Sequence, residues 1–70
     1  MMSDQEMNKR VDRVLMASRL RDRLIARSVC NYAIAVHLCH KHQFTAAAEG
    51  LLEAAERMVG IEREEARAEA

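Results

Sequence analysis

The chain has no proline and no tryptophan, and its 70 residues include only one tyrosine, one phenylalanine and two glycines, Gly50 and Gly60. That leaves almost nothing from which to build strands or hairpin turns. Its two cysteines, Cys30 and Cys39, are too few for a disulfide framework. On one helix they stand roughly 13 Å apart at ~1.5 Å per residue, whereas a disulfide needs Cα atoms within about 7 Å. Two buried, reduced thiols are therefore expected. The opening residues MMSDQEMNKR are polar, and no apolar run of signal-peptide or membrane-spanning length follows. A soluble, cytoplasmic protein is expected.

Alanine, leucine, glutamate and arginine dominate, which is helix-forming composition. A chain this short buries only about 60% of its unfolded surface and is marginal without a disulfide, a metal or a partner subunit. The formal net charge is zero, but it is unevenly placed. Positions 1–42 hold eight Lys/Arg against four Asp/Glu, and positions 43–70 hold three against seven. A basic arm and an acidic tail are the result.

Ser3 and Glu6 have the spacing of a capping box, which starts a helix at position 4. No breaker follows until the polar run His40–Phe44, so the first helix spans 4–42, continuous or bent between Ser18 and Asp22. Counted at 100° per residue, Met7, Val11, Val14, Leu15, Ser18, Ile25, Val29, Tyr32, Ala33 and Val36 share one stripe. A second stripe of Ala17, Leu20, Leu24, Ala35 and Leu38 lies opposite, and Cys30 and Ile34 fill the space between. From Val29 to Cys39 the helix is apolar nearly all round, as an enclosed helix is.

Thr45 is a good N-cap for a second helix over 45–59, with Ala47, Ala48, Leu51, Leu52, Ala54, Ala55, Met58 and Val59 inside and Gly50 allowing close backbone approach. The segment 60–70 reads as an acidic extension, capped at Gly60 or, the favoured reading, helical beyond it. The predicted fold is a single all-α domain, an antiparallel helical hairpin dimerising into a bundle. Val29, Tyr32, Ile34, Val36 and Leu38 are the expected self-association residues. In such a hairpin Glu53, Glu56, Glu62, Glu64 and Glu65 face Arg19, Arg23 and Arg27, in exposed pairs worth about 0–1 kcal/mol each.

Chemistry-bearing residues are concentrated in His37-Leu38-Cys39-His40-Lys41-His42. Imidazole and thiolate suit zinc and related metals, so His37, Cys39, His40 and His42 are the candidate ligands, two from each subunit of a dimer. Their spacing matches no specific zinc motif, and no metal or other cofactor is expected. Cys30 and His37 lie two turns apart, and Cys39 has no orienting carboxylate, so no catalytic residue is assigned and no enzyme is expected. The segment 9–27 holds seven Lys/Arg against two Asp. Without interleaved aromatics it is a weaker nucleic-acid footprint than a docking surface for an acidic protein, and it lacks the anchors of a membrane-surface helix.

The spacing Ala35-x2-Leu38-x5-Phe44-x2-Ala47-x3-Leu51-x2-Ala54 resembles the packing of one tetratricopeptide repeat over about twenty residues. The family's glycine and proline landmarks and a second copy are missing, so ordinary helix packing is the reading taken. The expected function is that of a small non-enzymatic interaction module, an inhibitor, adaptor or regulator of bacterial or phage character, binding a larger protein through Arg19, Leu20, Arg23, Leu24 and Arg27. The alternatives are a nucleic-acid-binding regulator using 9–27, and a metal-binding helical dimer.

Overall fold

The computed structural model describes residues 2–61, and within them every regular element is helical. Helix α1 spans Asp4–Ala17, α2 Arg23–Leu38 and α3 Thr45–Met58. A single straight helix over 4–42 would be roughly 58 Å long at ~1.5 Å per residue. The longest extent of the molecule is 32 Å. The chain instead reverses between α1 and α2, so that Asp4 in the first turn of α1 meets His37 near the end of α2. It reverses again before α3. The first helix expected over 4–42 is thus two antiparallel helices, and α1 runs in the same sense as α3.

Both ends of α1 are made by serine. Ser3 Oγ accepts from the Glu6 N–H at 3.1 Å, the capping arrangement expected. At the other end the buried Ser18 hydroxyl donates to the Leu15 carbonyl at 2.8 Å, while its backbone turns extended at ψ 139°. The charged run Arg19–Arg23 then carries the reversal, closed by a 2.9 Å hydrogen bond from the Asp22 N–H to the Arg19 carbonyl.

The reversal brings three apolar faces together. Met7, Val11 and Val14 of α1, Ala26, Cys30 and Ala33 of α2, and Ala48, Leu52 and Ala55 of α3 form one buried cluster with Met2. Alanines at the α2–α3 contact let those helices approach closely. The larger α1 side chains cover the seam between them, each contributing about 1.5–3 kcal/mol on burial. Because residues 18–22 are not helical, a phase counted through them is displaced. The buried face of α2 is Ala26, Cys30, Ala33 and His37, whereas Ile25 and Tyr32, expected inside, are exposed. Val29, Ile34 and Val36 are half-buried against the core. Helix α1 supplies part of the cover that a second helix alone could not give α2, while Leu24, Ile25, Tyr32 and Leu38 stay exposed.

The end of α3 differs from the favoured continuation. Gly60 stands at φ 81°, its N–H donating to the Arg57 carbonyl at 3.2 Å, while the Ile61 N–H reaches the Glu56 carbonyl at 2.8 Å. This is a Schellman stop, and it folds Ile61 back onto the core. Glycine is favoured there because φ is positive. Gly50 plays no part in the close helix approach expected of it: a Cβ added at that position would meet no atom within 4 Å. Glu62, Glu64 and Glu65 lie outside the described residues.

Candidate functional site

Among the described residues, two polar clusters stand out between α1 and the other helices. The first is in the middle of α1. Arg10 donates from Nε to Glu56 Oε2 at 2.9 Å and from Nη2 to Glu56 Oε1 at 2.8 Å. Its remaining nitrogen, Nη1, faces Glu49 at 3.6 Å and the Met2 sulfur at 3.6 Å. The side chains of Arg10 and Glu56 are only 12% and 7% exposed, so this is a nearly buried, bidentate ion pair. The hydrogen bonds to Glu56 raise the Arg10 pKa against the opposing cost of burial. The pairing of Glu56 with Arg19, Arg23 and Arg27 expected from the sequence does not form, because Arg10 takes the carboxylate.

The second cluster is built where α2 ends. After Leu38 the chain passes through Cys39 and then through three consecutive non-glycine residues with positive φ: His40 at 46°, Lys41 at 55° and His42 at 73°. This left-handed turn throws His42 back toward α2, where its ring stacks on that of His37 with centroids 4.5 Å apart and planes 17° apart. The Nε2 atoms of His37 and His42 lie 2.8 and 3.1 Å from the same oxygen, Oδ1 of Asp4. Thr45 completes the group. Its hydroxyl donates to the His42 carbonyl at 2.9 Å and stands 3.2 Å from His37 Nδ1. The expected N-cap role of Thr45 falls to Phe44, and the threonine is the first residue of α3 with its hydroxyl turned back toward the histidines.

Of the four metal candidates in the sequence, the structure brings together His37 and His42 and adds Asp4. Cys39 is exposed rather than buried and stands apart, as does His40, whose ring meets Phe44 edge-on at 5.8 Å. Asp4 escapes a reading of the sequence because it lies 33 positions from His37, and only the reversal at Ser18–Asp22 joins them. Cys30 is buried, and burial pushes its thiol pKa up with Glu56 adding to the effect. Such a thiol is a poor nucleophile.

The remaining feature is a surface. Leu20 and Leu24 are 84% and 74% exposed, and Tyr32 and Leu38 are 64% and 54% exposed. With Ala17 and Ala35, also exposed, these residues contain the whole second stripe read from the sequence. Ile25 and Met16 extend it. Arg19, Arg23 and Arg27 are exposed beside it, and α2 itself contains no acidic residue. None of the six residues carrying the tetratricopeptide likeness is buried; only Leu51 is half-buried. No protein-family model, curated protein or solved structure matches this chain. Among the described residues no helix is long and apolar enough to cross a membrane.

Proposed function

We propose that the protein is a small, non-enzymatic interaction module that binds a larger protein through the outward face of α2. The observation that carries this reading is the row Leu20, Leu24, Tyr32 and Leu38, four large apolar side chains all more than half exposed along one side of the molecule. Several large apolar side chains left exposed on one helix and the turn before it point to an interaction site, whereas single exposed leucines need no explanation. An amphipathic partner helix laid along α2 meets these residues at helical spacing.

The charges beside the row indicate which partner fits. Arg19, Arg23 and Arg27 flank its N-terminal half, and Lys41 follows its C-terminal end. Two copies of α2 packed face to face set cation against cation in either orientation. A partner whose apolar strip is edged by carboxylates is complementary, and such complementarity favours encounter as well as register. A role as inhibitor, adaptor or regulator of that partner suits a chain whose main exposed feature is a docking face.

The test places a photoreactive residue at Tyr32, at the middle of the row, and illuminates the protein in its native host. A specific cross-link to one larger protein with an acidic surface, lost on Leu24→Asp, is the expected result. Cross-links only between two copies, with a dimer mass in solution, replace the reading with self-association. Cross-links to nucleic acid that weaken steeply with salt replace it with the arginine-based alternative. No specific product at all defeats it.

A further inference from the structure

We propose that Asp4, His37 and His42 form a binding site for a divalent transition-metal ion, with zinc the best-suited, which clasps the start of α1 to the α2–α3 turn. The first support is the donor set. Three ligand atoms, two imidazole nitrogens and a carboxylate oxygen, converge within 4.8 Å of one another. Imidazole favours zinc, copper and nickel over magnesium or calcium, and two histidines with one carboxylate leave room for water in a fourth position.

The second support is the placement of protons. The Thr45 hydroxyl has one proton and donates it to the His42 carbonyl. Toward His37 it therefore offers a lone pair, which calls for a proton on Nδ1. That leaves Nε2 as the ligating nitrogen, and it is the one turned to Asp4 Oδ1, at 2.8 Å. A hydroxyl that fixes the far nitrogen of a ligand histidine is also the usual outer-shell arrangement of a metal site.

The third support is the backbone. Each left-handed non-glycine residue costs about 1–2 kcal/mol, and His40, Lys41 and His42 occupy that region in succession. Strain of this kind persists where the surroundings over-determine it and collects at ligand clamps. Its effect here is to return His42 to the side of Asp4, which a regular helix end would not do.

Entry of the ion involves a defined adjustment. Ligands of tetrahedral zinc stand about 3.3 Å apart, given bonds of about 2.0–2.1 Å. The present separations of 2.8 and 3.1 Å widen only slightly. With the rings stacked, the in-plane lone pairs of His37 and His42 run nearly parallel, so His42 turns out of the stack to share the ion. His42 and Asp4, with side chains 40% and 61% exposed, are free to move, while His37 at 1% is fixed.

The experiment titrates zinc chloride into the tag-free full chain at neutral pH, followed by calorimetry. Saturable one-to-one binding is expected, with no response to magnesium or calcium. Asp4→Ala and His42→Ala, both at accessible positions, should each weaken zinc by tenfold or more while helical circular dichroism persists. Thr45→Val should weaken it about 10–100-fold, as loss of an outer-shell partner does. Nitrogen-15 shifts of the unmodified imidazoles give a readout independent of any variant: coordination moves Nε2 of His37 and His42 and leaves His40 in place. No saturable binding, binding that survives both alanine changes, or binding lost instead in a Cys39→Ser, His40→Ala double variant overturns the proposal.

Discussion

The two ties that hold α1 differ in kind. At Arg10–Glu56 the donors and acceptors match: a planar guanidinium meets a carboxylate in two short hydrogen bonds, nearly out of solvent. At Asp4–His37–His42 one carboxylate oxygen serves two rings, and it sits at the surface on a turn with three left-handed residues. The first tie is complete as it stands. The second is shared between two imidazoles, and two of its three members face solvent. A buried pair that is already satisfied fixes how the helices sit, whereas a cluster with Asp4 and His42 open to solvent can respond to what is in solution. The same contrast separates the two left-handed turns: at Gly60 the sequence supplies the residue the backbone needs, and at Lys41 it does not.

The largest effect is expected at the complete tie. Glu56→Ala strands a nearly buried guanidinium and should cost about 3–5 kcal/mol, read from urea unfolding. In a domain of this size that is enough to unfold much of the population. Replacing both partners, Arg10→Met with Glu56→Leu, should recover most of the loss, because no uncompensated charge is then buried. If the single change costs no more than an exposed pair, the tie is not the closed one described.

Gly60→Ala comes next, with an expected loss of about 1–2 kcal/mol, since the added Cβ meets no atom but the φ of 81° disfavours it. Lys41→Gly should move in the opposite direction. Relief of the left-handed strain, less the flexibility glycine adds to the unfolded chain, gives an expected gain of up to about 1 kcal/mol. A loss at Lys41 would erase the distinction between the fitted turn and the strained one. Leu24→Asp is the smallest in stability, within about 0.5 kcal/mol, because the residue is on the surface and outside the core. Its value is selective: thermal unfolding should be unchanged while the cross-link from Tyr32 disappears.

Much of this is legible in the residues. The all-helical class, the Ser3 cap, the start of α3 to within its first residue and the inner residues Met7, Val11, Val14 and Leu52 follow from local pattern, as does a turn before α3, although α2 ends at Leu38 and not at 42 as expected. The reversal at Ser18–Asp22 is harder to read, because the run SRLRD contains good helix formers and no glycine or proline. What turns the chain there is tertiary: burial of the α1 stripe against α2 and α3. That one hidden reversal accounts for the other differences. A count that runs straight through it shifts the phase of α2 by one residue, misses the cover that α1 gives α2, and keeps Asp4 far from the histidines. Gly60 is ambiguous for another reason, since the Glu-rich residues after it favour helix while the glycine itself favours a stop.

The path of the chain also sets an order of events. The α2–α3 pair is joined through a short turn, whereas the Arg10–Glu56 contact closes a separation of 46 positions. Local pairs form first because little chain entropy is lost in closing them. Helices α1 and α2 are joined by a turn just as short, but α1 packs less extensively than the α2–α3 pair, so it is expected to dock last and to lift away first. Its amides should exchange with solvent deuterium faster than those of α2, and a bound ion at Asp4 should slow that exchange selectively in α1.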